Sequence, residues 1–179
     1  MKKLTVLILI CFSLMLFSPA WAGSDENLIR TLIIDQAKVF SDFPRSRDKQ
    51  AVLKFFSKDY SSVTDGQGGN LKDAEKELSD YEKQLNLGNP LDISDRVSDI
   101  NVEASGVLAW ATFNDEVKIS VMGKTVEDEK MKCTGIYRKE GTQWLILHEH
   151  CSEPTGKDTH EDLTSAGPQT KESLRLNSL

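Results

Sequence analysis

Near the end of the chain run His148, Glu149, His150, Cys151 and Ser152, the densest group of reactive side chains in the sequence. Two histidines at alternate strand positions can ligate zinc, but a site needs a third or fourth ligand. Spacing fixes no carboxylate or cysteine beside them. Cys151 offers a thiol, yet no base or oxyanion turn can be identified for it. Glu149 is the candidate acid or base: a carboxyl in an apolar pocket has a raised pKa, which proton transfer can use. The alternative is an edge carboxylate, solvated or paired with a lysine, because no second catalytic group is placed beside it. No metal and no cofactor are expected.

These residues end a β-hairpin that spans Met131 to Ser152. A loop over Lys139, Glu140 and Gly141, with glycine in the left-handed position, suits its turn. That loop pairs Arg138 with Thr142, Gly135 with Leu145 and Cys133 with Leu147. One face then carries Met131, Cys133, Gly135, Tyr137, Leu145, Leu147, Glu149 and Cys151. The other carries Thr134, Ile136, Arg138, Trp144, Ile146, His148 and His150. In this register Cys151 lies opposite Glu129. At about 3.3 Å per residue that is too far from Cys133 for a bridge, which needs Cα atoms within roughly 7 Å. Two free thiols are expected.

The upstream chain supplies helices first and strands second. Ser24-Asp-Glu-Asn opens a helix with a capping hydroxyl and early acidic residues. Leu28, Ile29, Leu32, Ile33, Ala37 and Phe40 give it an apolar face, and Pro44 ends it. Arg45 to Lys58 reads as a shorter helix burying Ala51, Val52, Phe55 and Phe56. Asp59 to Val63 is a short strand, and Thr64 to Gly69 a glycine-rich connection without the residues of a phosphate loop. Leu71 to Leu87 is a third helix, stopped by Gly88-Asn-Pro90. Period two follows over Ile93–Val102, Val107–Val121, Val126–Lys139 and Gln143–Ser152. This order predicts an α+β fold with a four-stranded antiparallel meander, the Tyr60 strand joining an edge.

The ends differ from the middle. Met1-Lys-Lys, an apolar run to Phe17 and Ala20-Trp-Ala22 form the three regions of a signal peptide. Cleavage after Ala22 makes the product secreted or periplasmic, with no membrane attachment; an uncleaved anchor is the alternative. Cys11 lies within the apolar run, which argues against a lipid anchor. The formal charge is -6, and loss of Lys2 and Lys3 makes it two units more negative. Such a chain lacks the basic footprint of a nucleic-acid binder. Residues 154–179 are polar, with too few apolar groups to offset chain entropy, and read as a disordered tail in which His160 is solvated.

Particular residues within 23–153 carry a family likeness. Phe55-Phe-Ser-Lys-Asp-Tyr60 with Thr64-Asp-Gly66, Ala109-Trp-Ala111, Thr134 to Trp144 and His148 to Ser152 resemble the SnoaL-like domains of the nuclear transport factor 2-like superfamily. The closing hairpin also resembles the association domains of calcium/calmodulin-dependent kinases. The resemblance implies a cone: three N-terminal helices packed in a curved antiparallel sheet, one sheet face lining a pocket and the other forming a homodimer. It implies a pocket of Tyr60, Tyr81, Leu108, Trp110, Thr112, Cys133, Tyr137, Leu147 and Glu149, mostly apolar and suited to a small apolar or amphipathic ligand. The dimer face is then Thr134, Ile136, Trp144, Ile146, His148 and His150. The kinase domains place pocket arginines at positions aligning with Thr112, Gly135 and Cys151, so no anion trap is expected here. The superfold hosts enzymes as well as binding and assembly modules. An isomerase, dehydratase or cyclase using Glu149 is the alternative to a domain without chemistry of its own.

Overall fold

The computed structural model describes residues 22–154. The expected tail from Thr155 onward lies outside them, as does the expected leader except for Ala22. Helix α1 runs Ala22–Ser46. Its core side chains are Ile29, Ile33, Ala37 and Phe43, whereas Leu28 is exposed. Pro44 lies inside the last turn rather than ending the helix. The end comes at Arg47, whose left-handed backbone (φ 56°) lets its N–H donate to the Phe43 carbonyl at 2.8 Å.

The second helix is shorter than its apolar pattern predicts. α2 is Lys49–Leu53, capped by Asp48, which accepts from the Ala51 amide at 3.0 Å. Phe56 already belongs to strand β1, Phe56–Thr64. Sheet pairing overrides local periodicity here: the Ile146 amide donates to the Phe55 carbonyl at 2.8 Å, and β1 continues beside the last strand. The glycine-rich connection is a hairpin. Asp65 and Gly66 both take positive φ (48° and 81°), as an Asp-Gly hairpin turn requires, and Gln67–Asn70 returns as β2. Asn70 and Asp73 then form a capping box that starts α3, Leu71–Asn86. Gly88 (φ 80°) closes it.

Four long strands follow: β3 (Leu91–Ser105), β4 (Leu108–Val121), β5 (Lys124–Glu140) and β6 (Gln143–Ser152). The sheet order is β2-β1-β6-β5-β4-β3. All pairs are antiparallel except β1 with β6, which is parallel. An irregularity between Ser98 and Asn101, with Asp99 left-handed, bends β3, as bulges do. The inner face of this curled sheet packs on α1, and its core includes Ile93, Ala109, Ala111, Phe113 and Ile119.

The closing hairpin has a different register from the expected one. Its turn has two residues, Gly141 and Thr142, with Glu140 opposite Gln143. Gly141 takes φ 63° at the first position, where a type II′ turn places glycine. Tyr137 pairs with Ile146, but Ile136 pairs with His148. Leu147 is therefore an extra, unopposed residue, a bulge that switches which side chains of β6 face inward. Trp144 and Ile146 point inward before it and are almost fully buried. Glu149 and Cys151 share the inner face after it, opposite Gly135 and Cys133.

The expectation of two free thiols is overturned. Cys133 and Cys151 are direct cross-strand partners with Cα atoms 4.1 Å apart, and they form a disulfide.

Candidate functional site

The inner face forms the wall of two adjoining chambers. The main one, about 200 Å³, lies between helices and sheet. Phe40 of α1, Val52 of α2, Leu78 of α3, Phe56 of β1 and Val117 of β4 form its apolar part. Glu77, Asp95, Asp115, Glu127 and Glu149 form its acidic part, with Gln36 and Tyr60. The second chamber, about 310 Å³, lies beneath the β1–β2 hairpin and shares Tyr60, Ala74, Glu77 and Glu149 with the first. Cys151 lies in its wall.

Tyr60 and Glu149 meet on that shared wall, where the Tyr60 hydroxyl donates to Glu149 Oε2 at 3.0 Å. Burial pushes Glu149 up to about 7; the Tyr60 hydrogen bond opposes the shift and the nearby Asp115 adds to it. Burial and the Glu149 charge push the Tyr60 phenol upward, so Tyr60 stays a neutral donor. Tyr137 is fully buried, and its hydroxyl has no hydrogen-bond partner among the described residues. Its ring lies along β5 over Gly135: a Cβ there would stand 2.5 Å from the Tyr137 hydroxyl oxygen. Gly135 is the cross-strand partner of Glu149, so the phenol ends beside the Tyr60–Glu149 pair.

Asp95 of β3 and Asp115 of β4 form a carboxyl pair. Asp115 pairs with Val97 and Asp95 with Val117, which makes the two aspartates diagonal neighbours on the inner face. The Ser41 hydroxyl of α1 accepts from the Asp95 amide at 2.9 Å and fixes this part of β3. Burial, then the charge of Asp115, raises Asp95, and burial raises Asp115. Burial beside a second carboxyl keeps Asp95 protonated into the neutral range. Each aspartate leaves one enclosed oxygen, Oδ1, without a partner among the described residues. Glu127 is pushed up to about 7, by burial first and then by Glu129 and Glu77.

The other expected pocket residues are scattered. Tyr81 is half-buried; its hydroxyl donates to Glu77 Oε1 at 2.7 Å and its ring packs on Phe40. Cys133 is buried in the disulfide. Leu108, Trp110 and Thr112 are placed on the opposite side of the sheet, because the inward positions of β4 are Ala109, Ala111 and Phe113. Leu147, the bulge residue, lies in neither chamber's wall. Of the expected dimer face, Thr134, Ile136, His148 and His150 do lie outside. Trp144 and Ile146 do not: they are core residues, and the Trp144 indole donates to Asp25 at 3.0 Å. His148 Nδ1 lies 2.8 Å from the Ser61 hydroxyl. Among the described residues, no three His, Cys, Asp or Glu side chains are grouped to hold a metal ion.

The acidic wall is what sequence reasoning missed. Its signal was present in Ile93-x-Asp95-x-Val97 and Phe113-x-Asp115-x-Val117. In each, a carboxyl takes an inward slot between two apolar residues of a period-two strand.

A sheet curled around N-terminal helices, with a cavity on its inner face, defines the nuclear transport factor 2-like class of fold. Residues 37–156 match the SnoaL-like domain, and the chain belongs to that family. Among solved structures it is similar to a nuclear transport factor 2-like protein of unknown function from Pseudomonas putida, at 23% identity, covering 82% of this chain and 99% of that one, TM-score 0.55. It is similar to a putative calcium/calmodulin-dependent kinase II association domain from Exiguobacterium sibiricum, at 14% identity, covering 74% and 95%, TM-score 0.58. A Catenulispora acidiphila structure in complex with S-DNPA is similar at 9% identity, covering 73% and 94%, TM-score 0.57. No curated protein matches the chain.

Proposed function

We propose that this SnoaL-like domain binds a small amphipathic molecule in its inner cavity and performs no chemistry of its own. The cavity carries the reading: one side is apolar (Phe40, Val52, Phe56, Leu78) and the other holds hydrogen-bonding groups around Tyr60 and Glu149. An apolar wall with a few placed polar groups is the usual make-up of a small-ligand site. Native mass spectrometry of the protein taken from its own compartment tests it. A retained ligand that is absent from an Ala74→Phe variant, which fills both chambers, supports the reading; an empty protein that takes up nothing from its native extract counts against it.

The compartment belongs to the same proposal. The leader at residues 1–22 and a disulfide between the two remaining cysteines both suit export to an oxidising space, periplasmic or extracellular. So does assembly. Leu108, Trp110 and Ile136 are exposed on the outer sheet face, with Trp110 and Ile136 direct cross-strand partners. An apolar patch of this kind on a sheet suits a homodimer.

One observation favours a second reading, a proton-transfer enzyme of the isomerase, dehydratase or cyclase kind. Glu149 titrates near 7 beside a phenol donor, as a general acid or base should. Undiminished turnover of a discovered substrate by Glu149→Gln would remove that mechanism.

A further inference from the structure

The main chamber has a one-sided charge. Among the described residues, five of its wall residues are carboxyls and none is lysine, arginine or histidine. The described wall of the adjoining chamber also lacks these three residue types. An anionic ligand would meet only like charge and unfavourable desolvation. A metal ion needs converging ligands, but the carboxyls are spread over α3, β3, β4, β5 and β6, and no three of the described residues group to hold one.

Unpaired buried oxygens point to what is missing. Asp95 Oδ1 and Asp115 Oδ1 are enclosed and have no hydrogen-bond partner among the described residues. The fully buried Tyr137 hydroxyl, close to Glu149 but in neither chamber's wall, also lacks a partner among the described residues. Leaving such groups unsatisfied costs free energy, and a ligand bearing several N–H donors removes that cost. Phe40, Phe56 and Tyr60 in the same wall offer apolar surface and ring faces that attract a cation.

We propose that the main chamber takes a small organic ammonium ion, a primary or secondary amine on an apolar body, with its head between Asp95 and Asp115. This rests on the ligand-binding reading above and adds the charge of the ligand. Binding is coupled to protons. The groups facing the aspartate pair are Glu77 of α3, Tyr60 of β1, Glu127 of β5 and Glu149 of β6, with neutral Gln36 from α1. The apo carboxyls hold protons into the neutral range. A bound cation favours their ionised forms, so protons leave on binding and affinity rises with pH.

The test is isothermal titration of phenethylamine against its neutral counterpart, phenethyl alcohol, with the full mature chain. The amine stays protonated across the range used. It is expected to bind at least about tenfold tighter than the alcohol near neutral pH, and to gain about fivefold from roughly pH 6 to 8 with measurable proton release. Asp95→Asn with Asp115→Asn should weaken the amine about tenfold and leave the alcohol unchanged. Glu127→Gln, at a separate position, should also weaken only the amine. Equal or tighter binding of the alcohol overturns the ammonium proposal and leaves the pocket reading standing. Amine binding that survives Ala74→Phe places the ligand outside the cavity and overturns the proposal. Failure of both compounds to bind overturns it and counts against the pocket as well.

Discussion

Cys133 and Cys151 face each other across β5 and β6, and one inward position further along the ladder Gly135 faces Glu149. The disulfide pair therefore fixes the register that turns Glu149 into the cavity. Non-reducing peptide mapping of the mature protein is expected to show the 133–151 link. Cys133→Ser with Cys151→Ser should lower stability by about 3 kcal/mol, the effect of releasing a loop of this length, measured by urea denaturation. Mutual independence of the two thiols in the oxidised protein would contradict the register.

The buried carboxyls make stability fall as pH rises. A group whose folded pKa lies above its unfolded value stabilises the fold fully below the unfolded value and loses that contribution through the folded one. For Glu149 the window runs from 4.5 to about 7; Glu127 acts over a similar range, and the aspartate pair adds to it. Thermal melts of the ligand-free protein should show Tm decreasing from about pH 5 to 8. Glu149→Gln should flatten the slope, by at most about 3 kcal/mol across the window.

Gly135 is required by Tyr137. A methyl group at 135 meets the phenol oxygen at 2.5 Å and ring carbon at 2.8 Å, so the buried ring must move. Gly135→Ala should destabilise by about 1–3 kcal/mol, the usual range for overpacking. Tyr137→Phe removes a hydroxyl without a partner and should leave stability unchanged or slightly higher. Chemical denaturation of the two variants checks both.

The outer face is the expected seat of self-association. Light scattering should report a dimer for the mature chain, and a monomer when Trp110 and Ile136, 43% and 38% exposed, are both replaced by glutamate. A wild-type monomer at working concentration would count against the assembly proposal.

The sequence revealed the fold class because its signals were local. The apolar face of α1, Gly88-Asn-Pro90 after α3 and the alternation along β3 and β5 each carry their own physics. The site was only half visible, for two physical reasons. Trp144-Leu-Ile-Leu147 is apolar throughout, so no alternation marks the bulge at Leu147, and the faces of β6 before it were exchanged. On β4 the likeness put Thr112 in the pocket, and alternation carried Leu108 and Trp110 with it; the strand instead turns Ala109, Ala111 and Phe113 inward. The expected hairpin register put Tyr137 and Glu149 on one face and the family likeness made that face a pocket; Tyr137 lies in neither wall, whereas Tyr60 and Glu149 line the chambers. The acids facing them come from strands far apart in sequence, and only the curl of the sheet brings them together.

Amide chemical-shift mapping shows directly whether a ligand enters the inner cavity. On titration with a retained or screened ligand, shifts should concentrate at Tyr60, Glu77, Asp115 and Glu149 and be lost in Ala74→Phe. Shifts confined to the outer face around Trp110 and Ile136 would contradict entry into the cavity.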